Sequence, residues 1–429
     1  MNKRKVFLFV ILPGILTWIA YLVFTLFEKG VKSIPLYMIV YSTSFILFFL
    51  AYSFIKRNED GEYHFLRIKL PLLIIFSGLL FRATLLPTET STSDDVYRYI
   101  WEGKVLLNGF NPLVVPPDDP QLEHLRDGVF EKLTFKYIPA IYPPLSQLVF
   151  AAGYFISGDS LYGLKIFFFL CEAIILIFLY KLLILKRYNT NLVLLYAWLP
   201  LPVMEYFINS HLDPFGIMLM IISLYFIEKG NHLKGAIFLA LSSLARLYPV
   251  FLIPLIFRKI GIKKSFYFII TFLIVMIIFY LPFISGDLSV FTALSRYLAR
   301  WEFNGSVYNL LKSFFSDGEP ARIICGICFL VSIIIISLRY KDFLKASFGI
   351  FLSLIIFSST LYPWYLGWIA ALNPFMGFYS ILSLFFTINF SNVTPMGDVW
   401  QEYTWVLLLE YIPFFILLLY DLKKLKSST

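Results

Sequence analysis

The sequence predicts an all-α fold, a polytopic transmembrane helical bundle. Hydrophobic residues make up 59% of the 429 residues, charged residues only 15%, and the mean hydropathy is +0.78. Soluble domains average about 25% charged residues. Apolar runs long enough to span a bilayer, about 20 residues each, recur along the chain. The net charge of +9 is interpreted as basic loops on one side of a membrane, so no nucleic-acid partner is predicted.

The N-terminal part contains three apolar spans and then a long polar segment. Spans are predicted over 6–27, 34–55 and 70–87. The basic loop 56–69 between the second and third spans indicates the cytoplasmic side. The third span therefore delivers segment 88–142 to the opposite side. We expect this segment to be the first extracytoplasmic loop, carrying short interfacial helices and the catalytic residues.

The apolar run 143–157 decides the topology of the middle of the chain. It is short and begins with two prolines. If it spans, the basic cluster at 181–187 falls outside; if it is a half-helix that returns, this cluster falls inside with the later basic loops. The positive-inside tendency favours the half-helix, which also implies a cavity. Then 160–185 runs inward, 190–208 outward and 214–228 inward.

The C-terminal half begins with an interrupted run, 233–257. Pro249 removes a backbone donor and disfavours helix at the residue before it, so two half-helices are predicted to meet near Arg246. A second extracytoplasmic loop is predicted at 285–319. Further spans are predicted over 264–283, 320–338, 343–361 and 404–421. The total is about 12–14 crossings in a single integral membrane domain, 1–429.

The stretch 93–103, with the sequence SDDVYRYIWEG, is charged where most of the chain is apolar. Two adjacent carboxylates, Asp94 and Asp95, are followed by Arg98 and by aromatic residues. On a helix, Asp94, Arg98 and Trp101 share one face. The two carboxylates point roughly 100° apart, so different roles are predicted for them.

On the predicted topology, further ionisable and aromatic residues gather on the side of this loop. Ionisable groups near a membrane are costly and usually face a cavity with partners. A carboxylate can deprotonate an acceptor hydroxyl, an arginine can hold a phosphate leaving group, and aromatic faces can stack on a sugar. These residues predict sugar transfer from a lipid-phosphate carrier. The candidate ligands of the donor phosphate and sugar are Arg98, His211, Asp213, Arg246, Tyr248, Arg300, Trp301, Asn304, Tyr142, Trp364 and Tyr365.

Most of these residues also have a simpler structural interpretation. Thr92 and Asp95 have the spacing of a helix capping box. Asp94 and Arg98 have the spacing of a surface ion pair on a helix. Arg246 can extend toward lipid headgroups, and aromatic residues at span ends form interfacial belts by default.

Metal binding is not predicted. His211 and Asp213 form too short a motif to indicate a metal site by themselves, and Asp213 before Pro214 also suits a helix cap. Catalytic zinc sites usually need three protein ligands, and the four scattered histidines offer no convincing set.

Eight short motifs follow one another over most of the chain. They are SDDVYRYIWEG (93–103), NGFNP (108–112), LRD (125–127), IYPP (141–144), NSHLD (209–213), RLYP (246–249), WEFNGS (301–306) and PWYL (363–366). In this order they resemble bacterial integral-membrane mannosyltransferases of the GT-C glycosyltransferase superfamily, which depend on polyprenol-phosphate-mannose. Relatives often have a lysine where Arg246 stands, which keeps the charge but changes the geometry.

The resemblance implies an inverting glycosyltransferase that moves a sugar, most often mannose, from a polyprenyl-phosphate donor to a glycan, glycolipid or envelope acceptor. It implies Asp95 as the general base, with Asp94 as the second choice, and neither a metal nor another cofactor. It also implies a multi-pass protein of the bacterial plasma membrane, in contact with membrane lipid, whose active site faces the extracytoplasmic side.

Two other functions stay open on the sequence alone. One is a polytopic transporter or flippase that binds a lipid-linked saccharide without chemistry, and the other is a polymerase or ligase that uses a pyrophosphate-linked donor. Release of sugar-free polyprenyl phosphate in the presence of an acceptor distinguishes the predicted transferase from both.

Overall fold

The fold is all-α, as predicted. The computed structural model describes residues 3–28, 33–58, 64–65, 68–284, 286, 288–396 and 401–427. The one β ladder within these residues pairs His64–Phe65 (β1) with Ile68–Lys69 (β2). The described α-helices of eight residues or more are α1 Arg4–Phe27, α2 Ile34–Arg57, α3 Leu70–Leu85, α4 Asp95–Leu107, α5 Pro144–Ser157, α6 Tyr162–Leu185, α7 Pro200–Phe207, α8 Asp213–Glu228, α9 His232–Ala245, α10 Ile253–Ile260, α11 Ile262–Tyr280, α12 Thr292–Arg300, α13 Glu319–Arg339, α14 Phe343–Phe357, α15 Tyr379–Thr387 and α16 Thr404–Ser427.

Several of these helices are built to cross a bilayer. By length and composition, six described helices qualify: α1, α2, α6, α11, α13 and α16. Four shorter apolar helices, α3, α5, α9 and α14, accompany them. Large apolar side chains such as Phe266, Ile327 and Ile334 are exposed on α11 and α13, as expected of surfaces that face lipid tails. The chain is a multi-pass membrane protein, and the total of about 12–14 crossings stays a prediction.

Ion pairs join the basic loops at one end of the bundle, called here the ion-pair end. Lys186, just after α6, lies 3.2 Å from Glu228 at the end of α8 and 3.2 Å from Asp342, which caps α14. Lys259 in the last turn of α10 lies 2.8 Å from Glu228. The basic segments that were predicted to share one side of the membrane therefore lie together.

The opposite end, called here the loop end, receives the polar segment 88–142. Lys165, in the first turn of α6, donates to the carbonyl of Thr88 and, at 3.4 Å, to that of Leu86. At the start of α5, Ser146 donates to the carbonyl of Ala245 at 2.8 Å. The start of α5 therefore lies near the loop end. Its other end packs on the first turn of α6, where Leu164 faces Gly153, and this agrees with the prediction that α5 does not cross.

The predicted span 190–208 is wrong as one continuous helix. It is divided into a 3₁₀ turn, Thr190–Val193, a short helix, Leu194–Ala197, and α7. The break lies at Leu199, which is extended (φ −60°, ψ 122°) because the ring of the following proline disfavours helical geometry there. This segment is buried almost throughout, so its polar backbone is covered by protein, as a membrane requires.

The predicted interruption near Arg246 is confirmed. Helix α9 ends at Ala245, Arg246 is extended (φ −148°, ψ 136°), and the chain resumes as a 3₁₀ turn, Tyr248–Leu252, before α10. By contrast, the predicted span 343–361 ends early, because α14 stops at Phe357.

The first loop contains short helices, as predicted, and packs closely on α5. Helix α4 crosses α5 at Gly103, where a Cβ atom would lie 2.2 Å from the carbonyl oxygen of Phe150. The ring of Tyr99 stacks on Phe150 with centroids 4.5 Å apart. Glu102 accepts from Gln147 of α5 at 2.9 Å. This crossing fixes the position of α4, and its first residue is Asp95.

Candidate functional site

The start of α4 is held by Asn209, not by a capping box. The backbone N–H of Thr92 donates to Asn209 Oδ1 at 3.0 Å, and the Thr92 hydroxyl accepts from Asn209 Nδ2 at 2.6 Å. Asp94 is the N-cap residue, and the Asp95 N–H donates to Ser93 Oγ at 3.3 Å. The capping-box interpretation of Thr92 and Asp95 is therefore wrong.

The Asp95 side chain keeps 37% of its surface exposed. Its Oδ2 is 3.7 Å from Nδ1 of His211. Partial burial and the neighbouring Asp94 raise the pKa of Asp95 to about 7, against the opposing effect of the Arg246 guanidinium. A carboxyl group with a pKa near the working pH can accept and release a proton readily.

Arg246 lies in the extended break after α9, near enough to Asp95 for its charge to act on that carboxyl. Its Nη2 donates to Asp213 Oδ2 at 3.3 Å, and its guanidinium lies over the rings of Tyr142, at 4.9 Å, and Tyr365, at 5.2 Å. Its Nε is buried and has no hydrogen-bond partner among the described residues. Because Arg246 is buried and paired, the interpretation that it extends toward headgroups is wrong.

A row of stacked rings continues from His211. The imidazole stacks on Trp364 with centroids 3.7 Å apart, and Trp364 stacks on Tyr362 at 4.5 Å. Trp301 of the second loop donates from Nε1 to the Tyr362 hydroxyl at 3.1 Å. Tyr248 packs edge-on against Tyr365 with centroids 5.6 Å apart. These contacts join both loops to the surroundings of Asp95.

Arg98 points into the first loop. Its Nε donates to Glu102 Oε1 at 2.8 Å, and its two terminal nitrogens donate to the carbonyls of Phe135 and Ile138. The simpler interpretation paired Arg98 with Asp94 on the helix. In these bonds its partner on α4 is Glu102. Arg98 therefore fastens the end of the loop to α4.

The structure gives two other predicted ligands different surroundings. Arg300 is exposed at the end of α12. Asn304 is buried and donates to Glu410 Oε2 at 2.7 Å, while its backbone N–H donates to Glu402 at 3.2 Å. Asn304 thus connects the second loop to α16.

Sequence reasoning missed Glu205, which lies directly behind His211. Glu205 Oε1 accepts from the Tyr37 hydroxyl at 2.7 Å, and Oε2 accepts from Asn209 Nδ2 at 3.0 Å. The same Oε2 lies 3.6 Å from His211 Nε2. The signal was a carboxylate inside an apolar run, since such residues are rare in a membrane and usually face a functional interior.

His211 is a fully buried imidazole between two carboxylates. Burial and the nearby Arg246 charge lower its pKa well below the usual value, so the ring is neutral. No group of three or more His, Cys, Asp or Glu side chains in the described part of the chain is placed to hold a metal ion. The absence of a metal from the mechanism stays a prediction.

Residues 13–259 match a family model described as "Alpha-(1->6)-mannopyranosyltransferase, N-terminal domain", the MptA_B family. The match covers more than half of the chain and includes Asp95, His211 and Arg246. No curated protein sequence matches the chain. The match agrees with the resemblance of the sequence motifs to GT-C enzymes. This chain therefore belongs to the MptA_B family and is a membrane-embedded mannosyltransferase of the GT-C type.

Proposed function

We propose that this mannosyltransferase is an inverting enzyme that uses a polyprenyl-phosphate mannose donor and Asp95 as the general base. The acceptor is a glycan or glycolipid hydroxyl. The single observation that carries the proposal is the partly exposed Asp95 carboxyl at the loop end, within electrostatic reach of the buried Arg246 guanidinium. The loop end faces away from the cytoplasm in this proposal, because the basic loops gather at the ion-pair end.

The reaction balances as a single displacement. Asp95 takes the proton from the acceptor hydroxyl, whose oxygen forms a bond to C1 of the mannose. The bond between C1 and the phosphate oxygen breaks, and polyprenyl phosphate leaves with one additional negative charge. Inversion at C1 converts a β-linked donor into an α-mannoside. The family description names an α-(1→6) linkage, so we infer a β-linked donor and a primary hydroxyl as acceptor.

Arg246 is suited to receive the charge that develops on the phosphate. Its Nε–H is buried without a hydrogen-bond partner among the described residues, and Asp213 orients the other side of the guanidinium. Charge-assisted hydrogen bonds to phosphate are about twice as strong as neutral ones. The rings of Tyr142, Tyr365 and Trp364 border the same space and offer faces for the sugar.

We also propose that residues 1–429 form a single integral membrane domain, in which both loops lie over one site.

The test uses purified protein in lipid nanodiscs with radiolabelled polyprenyl-phosphate mannose and a mannoside acceptor. We expect Asp95→Asn to insert normally and to lower kcat by about 10² to 10⁴, the usual contribution of a general base. We expect Arg246→Gln to raise the donor KM and to lower kcat, because a phosphate ligand is lost. Transferred mannose and released polyprenyl phosphate are measured together.

Asp118→Asn is the matched control, since Asp118 is an exposed aspartate of the same loop. It should transfer at the normal rate. Normal transfer by Asp95→Asn would overturn the choice of base. Movement of the donor across the bilayer of liposomes without release of polyprenyl phosphate would instead favour a flippase. Transfer only from a polyprenyl-pyrophosphate donor, supplied in a parallel reaction, with release of polyprenyl pyrophosphate, would favour a pyrophosphate-dependent ligase.

A further inference from the structure

Glu205, His211 and Asp95 follow one another from the buried core to the partly exposed start of α4. Glu205 and His211 are both buried, whereas Asp95 is partly exposed. The two imidazole nitrogens face opposite carboxylates: Nε2 lies 3.6 Å from Glu205 and Nδ1 lies 3.7 Å from Asp95. Neither nitrogen has a hydrogen-bond partner among the described residues. Buried polar atoms without hydrogen-bond partners cost free energy of folding, so a buried imidazole in this position calls for a functional explanation.

The Glu205 carboxylate is fixed in orientation. Tyr37 from α2 donates to one oxygen and Asn209 to the other. Two donors also stabilise the ionised form of a carboxylate. When Glu205 is ionised it can only accept a hydrogen bond, so the nitrogen that faces it is then the protonated one. That nitrogen is Nε2 of His211, which leaves the Nδ1 lone pair directed at Asp95.

The ring itself is held in place by its surroundings. His211 stacks on Trp364 with centroids 3.7 Å apart and an angle of 16° between planes. The preceding residue, Ser210, has φ +61°, a left-handed conformation that is uncommon for serine and tends to be kept at functional sites. Asn209 binds both Glu205 and Thr92, and so joins the buried pair to the start of the catalytic loop.

We propose that Glu205 is a positioning residue for the base: it fixes His211 as the neutral Nε2–H tautomer, whose Nδ1 accepts a hydrogen bond from Asp95 once Asp95 has taken the acceptor proton. This proposal rests on the proposed function of Asp95. No proton passes onto the imidazole. The ground-state distance of 3.7 Å is that of two acceptors that face each other, and it shortens when Asp95 becomes a donor. Hydrogen bonding to the neutral form of a carboxyl group makes its anion a stronger base.

The tautomer can be measured without any reaction. We expect ¹⁵N-histidine solid-state NMR of the full chain in nanodiscs at about pH 8 to show His211 neutral, with Nε2 protonated. The His211→Phe variant, which keeps a ring on Trp364, identifies the signal by its loss. A protonated Nδ1, or an imidazolium at neutral pH, would overturn the proposal even if the protein transfers mannose.

Glu205→Gln tests the consequence for catalysis. Its amide can donate to Nε2, so we expect the Nδ1–H tautomer, a kcat lower by about tenfold or more, an unchanged donor KM, and an acidic limb of kcat displaced to lower pH. Glu205→Asp keeps the carboxylate and is expected to restore the Nε2–H signal and part of kcat. The charged and titratable groups around His211 that this profile reports are Asp95, Glu205, Asp213 and Arg246, with Tyr37 bound to Glu205.

Glu319→Gln is the control, because it removes an exposed carboxylate in the first turn of α13. It should leave the His211 signal and the kcat profile unchanged. A Glu205→Gln protein with the normal tautomer or a normal kcat would overturn the proposal. An active Asp95→Asn protein would instead refute the function on which the proposal rests, and the NMR result would still decide the tautomer.

Discussion

The Asp95 carboxyl combines two properties that oppose each other. Its partial burial and the neighbouring Asp94 raise its pKa to about 7, whereas the usual pKa of an aspartate is 3.8. This makes it a base suited to neutral pH, but its ionised form is then less stable in the folded protein than in water. The sequence pointed to this residue through its charge in an apolar chain. It could not show that Arg98 turns away to Glu102, because three-dimensional partners decide where a long side chain points.

The raised pKa has a consequence for stability. Between the unfolded value near 3.8 and the folded value near 7, the folded chain binds the additional proton, so the contribution of Asp95 to stability falls as pH rises through this window. We expect Asp95→Asn to unfold at a higher temperature than the unmodified chain at about pH 8, with little difference at about pH 4. Thermal unfolding in detergent at both pH values measures this.

Asp118→Asn is again the comparison, since this aspartate is exposed. A gain in unfolding temperature that is the same at both pH values would show that the effect does not come from titration of Asp95.

At the scale of elements, breaks between helices place most of the site. His211 follows the end of α7, and Arg246 follows the end of α9. The break at Arg246 could be predicted because Pro249 lies inside the run. The division of 190–208 was missed, although Pro200 marks it, because a buried apolar run has no period that distinguishes one helix from several short ones. Glu205 was missed although a carboxylate inside an apolar run is a signal, because this run was interpreted as a plain membrane span.

The close crossing of α4 and α5 is testable. We expect Gly103→Ala to destabilise the protein by about 1–3 kcal/mol, the usual effect of overpacking, since the new methyl group would lie 2.2 Å from the backbone oxygen of Phe150. Because α4 must then shift and carries Asp95, mannose transfer should fall as well. Unfolding temperature and kcat are the measurements.

Gly128→Ala is the matched control in the same loop, because nothing lies within 4 Å of its added Cβ. Equal effects of the two substitutions would contradict the proposed tight crossing.

The whole molecule has two chemically different ends. The loop end collects Asp95, His211 and Arg246, and the ion-pair end collects Lys186, Glu228 and Lys259. This division was predictable, because the spacing of basic clusters between apolar runs reflects topology. The number of crossings could not be predicted, since short helices such as α5 have the composition of a membrane span but not its length.

The orientation of these ends can be measured with single cysteines. In a Cys328→Ser background, where Cys171 and Cys325 are buried, we expect Tyr137→Cys to react with a membrane-impermeant maleimide in intact cells. We expect Lys229→Cys to react only after the cells are permeabilised. Both positions are exposed, so labelling reports the side of the membrane. The reverse pattern would place the site in the cytoplasm and contradict the proposed function.

The ion pairs of Glu228 and Asp342 with Lys186 and Lys259 tie α6, α8, α10 and α14 together at one end only. Helices that are joined at one end separate most easily at the other end. We therefore expect these ion pairs to act as a pivot. An isoprenoid tail is itself soluble in the hydrocarbon layer. It can therefore enter laterally from the bilayer, between helices that separate at the loop end. The carrier would then never have to leave the bilayer.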